Sequence, residues 1–494
     1  MKRLFLLIFL MTAVLSNHAQ KRQFRGAWIQ AVNGQFQGMS RDAMQQTLVD
    51  QLNTLQQIGV NAIIFQVRPE CDALYASQLE PWSRFLTGMQ GRAPQPYWDP
   101  LAWMVDECHK RGMEIHAWIN PYRAKTKGTT QLANTHIAIT HPNSYFVYDN
   151  QYILNPALKE NRDYICKVAD DIVARYDIDG FHIDDYFYPY PAPGQMIPDQ
   201  QYYESNRGGF ANIGDWRRNN VNLFVKQLGE TIHQRKPWVK FGVSPFGIYR
   251  NQASDPKNGS ATRGLQNYDE LYADVLLWVN NGWVDYCVPQ VYWQIGHPTA
   301  DYATLIKWWD KHASNRPLFI GEDVERTTKY PDPQNPNSHQ LPAKHRLHQQ
   351  MHHVNGVVLW YAKAVVDNVG NYGTVLRDSY WKYPALQPQM KFIDSKSPKK
   401  PRKLKAIWTS DGYMLFWKAP KGKSWHDIAT KYVVYRFNKD DRFDINDASK
   451  IVAITNRTFI KLPYDKGNAR YTYAVTALDR MSNESKVRKK KVKL

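Results

Sequence analysis

Short apolar runs recur along the chain, and each is followed by a stretch with helical periodicity. The runs are FRGAWIQ (24–30), VNAIIFQVRP (60–69), MEIHAWINPY (113–122) and IDGFHIDDYF (178–187). They continue with VKFGVSPFG (239–247), VDYCVPQVYW (284–293), RPLFIGED (316–323) and VNGVVLWYA (354–362). Between the first two, Met44, Leu48, Leu52, Leu55 and Ile58 fall on one helical face, and Gly59 stops the helix. DPLAWMVDECHKRG opens on Asp99 with Pro100 at the first helical position and closes on Gly112. Eight strands alternating with helices predict a (β/α)8 TIM barrel of class α/β. A doubly wound sheet is the competitor, but its nucleotide-binding versions need a Gly-rich loop after the first strand, and none follows here.

The pattern changes after residue 390. KSPKKPRKLK reads as a linker (391–404), and YMLFWKAP, KYVVYRF, KIVAIT and RYTYAVTAL then alternate as short strands. Residues 405–494 are therefore expected to form a small all-β sandwich, with Trp417 and Tyr473 in its core. At the other end, a basic start, an apolar run from Leu4 to Leu15 and a small residue at Ala19 read as a signal peptide over 1–19. This leaves 20–390 for the barrel and predicts an exported protein, periplasmic or associated with the cell surface. No later segment is apolar enough to span a membrane. Cys71, Cys108, Cys166 and Cys287 form no CxxC pair and read as buried free thiols. The net charge of +19 favours anionic partners, and export argues against nucleic acid. Part of the excess sits in the tail VRKKKVKL, which reads as a solvated end.

The active site of such a barrel lies at the C-terminal ends of its strands. Strand alternation turns Phe181 and Ile183 toward the helices, and His182 and Asp184 toward the axis. Asp184 is then the carboxylate at the mouth, with Asp185 beside it at the start of the loop. The same parity points Glu114, His116, Trp118 and Asn120 inward on the third strand, and Gln66 and Arg68 on the second. Cleaving a glycosidic bond takes two acids in different charge states. Asp184 is the first candidate, and Asp185, Asp72, Glu322 and the neighbouring Glu70 are candidates for the second. Sugar rings lie flat on aromatic faces while polar groups hold their hydroxyls. Trp28, Tyr122, Tyr186, Tyr188, Tyr292, Trp293 and Trp360 suit the first task. Arg68, Asn120, Arg123, His182 and Gln290 suit the second. No cofactor or metal is expected, although Asp184, Asp185 and His182 hold the fragment of a metal-dependent deacetylase site.

RGAWIQ, FQVRPECDALYAS, EPWSRFLTG, DPLAWMVDECHKRGMEIHAWINPYR, YDIDGFHIDDYFYPYP, DWRRNNVN, VKFGVSPFGIYR, YADVLLWVNNGWVDYCVPQVYW and VVLWYA, in this order over roughly residues 22–365, resemble the glycosyl hydrolase-like 10 family. The resemblance implies a barrel related to amylase-like glycosidases, in exported bacterial proteins, some associated with cell-wall glycan. By that analogy the nucleophile falls on Asp184. The amylase-type acid on the fifth strand has no counterpart in VSPFG. The C-terminal segment more weakly resembles a fibronectin type III domain, which would act as a spacer or a protein-partner surface. The expected function is hydrolysis of a polysaccharide such as peptidoglycan glycan strands, with Arg68, Arg123 and the basic balance suited to an acidic one; the alternative is a barrel that binds glycan without cutting it.

Overall fold

The computed structural model describes residues 20–313 and 315–494; the expected signal peptide lies outside them. Eight parallel strands close a barrel in sequential order: β1 (Phe24–Ile29), β2 (Ala62–Arg68), β3 (Glu114–Ile119), β4 (Gly180–Ile183), β5 (Lys240–Val243), β6 (Tyr286–Cys287), β7 (Leu318–Asp323) and β8 (Val354–Trp360). β8 pairs with β1 to close the ring. All eight expected strands are present. Several stop earlier than the apolar runs, because Pro245 and Pro289 have no N–H for the ladder. The residues past those prolines are mouth loops rather than strand. Among the described residues no helix is long and apolar enough to cross a membrane.

The parity expected for β3 and β4 holds. Phe181 and Ile183 pack against the helices, whereas His116 and His182 meet inside the barrel across Tyr286. On β2 it fails at one residue. The register against β3 slips between Gln66 and Arg68, so Arg68 pairs with Ile119 on the helix-facing side. A bulge re-aims every side chain beyond it.

Residues 402–494 form two antiparallel sheets. One contains β9 (Arg402–Thr409), β10 (Gly412–Lys418) and β13 (Phe459–Lys461). The other contains β11 (Lys431–Phe437), β12 (Ile451–Thr455), β14 (Arg470–Leu478) and β15 (Arg488–Lys493). Trp417 and Tyr473 are core residues, and all four cysteines are buried free thiols. The tail VRKKKVKL is an edge strand with Val492 and Leu494 buried, rather than a loose end.

The sandwich sits under the bottom of the barrel. A turn after β14 sends Met481 into one buried cluster with the lower barrel residues Phe24, Tyr286 and Phe319 and with Met390. Lys21–Glu484 at 2.6 Å and Arg480–Asp177 at 2.7 Å tie its rim. The segment expected as a linker is packed here as well, for Asn483 donates to the Asp394 carbonyl. Met481→Ala empties a filled site and should cost about 2–5 kcal/mol. Chemical denaturation checks this; an unfolding midpoint equal to wild type would show that the turn carries no packing energy.

Candidate active site

A cavity of about 430 Å³ opens at the C-terminal ends of the strands. Its floor holds Asp184 and Asp185. Its walls are Trp28, Trp118, Tyr186, Tyr190, Phe246, Tyr292, Trp293 and Trp360, with Ser244, Gln290 and Arg326 as the other polar members. The rings brace one another: Trp28 meets Trp360 at 6.1 Å and Tyr292 at 6.3 Å, and Phe246 meets Trp293 at 5.4 Å. A second cavity of about 560 Å³ shares Tyr186 and Tyr190 with the first and adds Arg123, Lys127 and Gln151. A third shares Arg326. The mouth thus adjoins two further depressions through shared side chains.

Asp184 follows β4 and is held from behind. Its Oδ2 accepts from the Asn120 amide and, at 3.3 Å, from the Trp118 indole, while its Oδ1 has no partner. Asn120 is itself fixed, its Oδ1 accepting from Gln66 and from Arg123, each at 2.6 Å. Gln66 is locked in turn by the Ala31 and Val32 N–H groups. Burial pushes the Asp184 carboxyl up, Arg123 opposes this and Asp185 adds to it, leaving it at about 7. Asp185 is also raised by burial, and the Tyr190 hydroxyl that donates to it works against the rise. Two neighbouring carboxylates in a low-dielectric floor cannot both ionise cheaply, so the pair keeps a proton near neutral pH.

A buried chain of hydrogen bonds rises through the barrel to Ser244. Lys240 donates to Glu114 at 2.6 Å, and His116 Nε2 lies 3.2 Å from the other Glu114 oxygen. Lys240 and His116 overcome the effect of burial and hold Glu114 at about 2. Burial keeps both histidines below their usual range, hence neutral. With Nε2–H of His116 given to the carboxylate, its Nδ1 must accept from Tyr286, 2.7 Å away. Tyr286 then accepts from Nδ1 of His182 at 3.0 Å, and His182 Nε2 accepts from Ser244 at 2.9 Å. Ser244 therefore presents only lone pairs to the cavity.

Of the residues expected at the site, Trp28, Asp184, Asp185, Tyr186, Gln290, Tyr292, Trp293 and Trp360 come together in the cavity wall. Arg123 lines the adjoining cavity and lies over the Tyr186 ring. Asn120 and His182 stand one layer behind, and both nitrogens of His182 are taken. The others lie elsewhere. Arg68 is fully buried, with its guanidinium on Glu80 at 2.7–2.9 Å. Tyr122 packs on Phe224 among the helices. Asp72 is buried behind the mouth beside Glu70, bonded by Gln90, and burial with Glu70 raises it to about 7. Glu322 faces the helices, bonded by Tyr302 at 2.6 Å and lying 3.0 Å from His348. Those partners and Lys344 overcome burial and hold it at about 2. Among the described residues no group of three or more His, Cys, Asp or Glu side chains is placed to hold a metal.

Trp118, Tyr190 and Arg326 were not expected as site residues. Trp118 carries the inward parity of β3, and Tyr190 lies in the aromatic run after Asp185. Arg326 had no signal, because it enters from the first turn of the helix Val324–Lys329.

The glycosyl hydrolase-like 10 profile matches residues 23–337, which take in β1 to β7 of the barrel. A Bacillus subtilis protein named glycosyl hydrolase YngK is 39% identical over 97% of this chain and 95% of its own length. Escherichia coli K12 glycosyl hydrolase DigH is 42% identical over 54% of this chain and 62% of its own. Among solved structures, the glycoside hydrolase domain of PgaB (BpsB) from Bordetella bronchiseptica aligns over 72% of this chain and 98% of its own, at 9% identity and a TM-score of 0.44, too loosely to add to the fold. The match over most of the barrel, with a bacterial relative alike from end to end, places the chain in the glycosyl hydrolase-like 10 family.

Proposed function

We propose that the protein is a glycoside hydrolase that cuts a polysaccharide of N-acetylated sugars, with bacterial cell-wall glycan strands as the substrate. One observation carries this reading: among the described residues the only acids lining the aromatic cavity are the neighbours Asp184 and Asp185, both buried and both held above the usual carboxylate range by that burial. A cavity walled by aromatic rings suits a glycan, and the mouth of the barrel is where this fold does chemistry.

The two acids are chain neighbours and lie side by side on the floor. Glycosidases that rely on two carboxylates set them on opposite sides of the bond, about 5–9.5 Å apart. Neither Asp72 nor Glu322 reaches the cavity to supply the opposite member. The arrangement instead fits substrate-assisted cleavage, in which the sugar's own 2-acetamido group is the nucleophile. Asp184, protonated on its open Oδ1, gives its proton to the leaving glycosidic oxygen as the C1–O bond breaks. The acetamido carbonyl oxygen bonds to C1, and Asp185 accepts the acetamido N–H. Asp184, now a carboxylate, takes a proton from the water that reopens the ring at C1. Arg326 has no carboxylate partner among the described residues and suits an acidic group on the polymer, such as a lactyl carboxylate.

The test is product release from peptidoglycan glycan strands, with and without N-deacetylation. Native strands should be cut with retention at C1, deacetylated ones left intact, and an N-acetyl-sugar thiazoline should inhibit. Cleavage that ignores deacetylation would overturn the assisted mechanism; binding without release from any glycan would leave a binding protein.

A further inference from the structure

Charge is divided unevenly along the chain. Residues 391–494 hold 26 Lys and Arg against 10 Asp and Glu, a net +16, whereas the whole chain is +19. Most of the excess therefore sits on the sandwich and the segment leading into it, and not on the barrel. Much of it lies on one side, where the edge strands β9 and β15 of the two sheets run together and Arg488 donates to the Pro401 carbonyl at 3.2 Å. Lys399, Lys400, Lys403 and Lys405 are exposed along β9 and its approach, and Lys490, Lys491 and Lys493 along β15. Among the described residues none of these seven ion-pairs with a carboxylate. Lysines on an edge strand commonly serve to block edge-to-edge pairing. That role accounts for lysines on the edges, and it does not account for what stands at the end of the ridge.

There, at the β9–β10 hairpin, Trp408 is 60% exposed. It stacks on Tyr413 at 5.1 Å and meets the exposed Tyr464 edge-on at 4.7 Å. The loop after Tyr464 brings Gly467 against the Lys493 side chain, which joins the aromatic cluster to the lysine ridge. An indole left in water beside unpaired ammonium groups is a surface with two affinities, for a flat apolar ring face and for negative charge.

We propose that this edge of the sandwich binds an anionic polysaccharide, with Trp408 stacking on a sugar ring and the lysines meeting acid groups along the strand. The choice of a glycan over other polyanions rests on the glycosidase reading of the barrel; the binding itself does not. The sandwich then holds polymer independently of the cleft, raising the local substrate concentration.

The experiment is retention of the full chain on polygalacturonate, with neutral dextran, phosphatidylglycerol vesicles and a single-stranded oligonucleotide as comparators. Wild type should be held by polygalacturonate, released by salt, and ignored by dextran. A chain carrying Lys403→Gln, Lys405→Gln, Lys491→Gln and Lys493→Gln should bind about tenfold more weakly. Trp408→Ala should lose about tenfold on polygalacturonate and nothing on vesicles. These side chains are exposed, so thermal unfolding should not move, and neither should hydrolysis of short soluble oligosaccharides. No retention, retention untouched by both variants, or tighter binding to vesicles or oligonucleotide would each overturn the proposal. Loss of retention with hydrolysis intact follows from this surface alone; retention with no hydrolysis of any glycan sinks the glycosidase reading and leaves this one standing.

Discussion

Asp184→Asn should sharply reduce turnover and, above neutral pH, make the protein more stable. The two effects share one cause. The folded carboxyl sits at about 7, against an ordinary value of 3.8. Between those limits the folded state binds a proton that the unfolded chain has released. Stability is thus fully present below about 3.8 and is lost as pH rises through about 7. Above that, wild type carries a buried carboxylate with one open oxygen, at a cost on the order of a few kcal/mol. Asparagine is neutral at every pH, and its oxygen can still accept from Asn120 and Trp118. Thermal melts should show the variant above wild type at pH 8 and level with it at pH 4. Activity should fall by about 10²–10⁴-fold, the range for loss of a general acid. Melting curves that track each other at both pH values would remove the physical basis for Asp184 as proton donor.

The parts of the site legible in the sequence are those set by strand period. Asp184 and His182 could be turned inward because β4 is regular, and Trp118 and Asn120 for the same reason on β3. Arg68 could not be placed, because a bulge leaves no mark in the apolar pattern of FQVRP. Glu322 shows another limit. A carboxylate at a strand end reads as chemistry, yet its parity on β7 turns it toward Tyr302 and His348, with Gly321 on the barrel side. Asp72 sits in a loop, where no period applies. The barrel itself was legible because burial on both faces makes every strand a continuous apolar run. Where the sandwich docks was not, since Met481 is one methionine in a polar turn and only the fold brings it under Phe24.

Arg68→Met should be the most damaging substitution away from the cavity. The guanidinium is fully buried and makes its hydrogen bonds to Glu80, to the Asn120 and Pro121 carbonyls and to the Cys71 sulfur. Methionine keeps much of the volume and removes every donor. Glu80 is then a buried carboxylate with Tyr164, at 3.0 Å, as its remaining side-chain donor. Breaking one half of such a pair costs about 3–5 kcal/mol, whereas replacing both halves with apolar groups is close to neutral. The double variant Arg68→Met, Glu80→Met should therefore recover part of the loss, and the cycle should give a coupling of about 1–3 kcal/mol. Denaturant unfolding of the four proteins measures it. The loss should also reach the cavity, because Arg68 fixes the Asn120 and Pro121 carbonyls and Asn120 donates to Asp184. Activity measured well below the unfolding transition should drop in the single variant while the alkaline limb of its pH profile shifts, since Asp184 is the proton donor and loses a fixed hydrogen-bond donor of its own. A single variant within about 1 kcal/mol of wild type would mean that water or a rearranged loop satisfies Glu80. The bulge that turned Arg68 away from the mouth would then have no structural purpose in this pair.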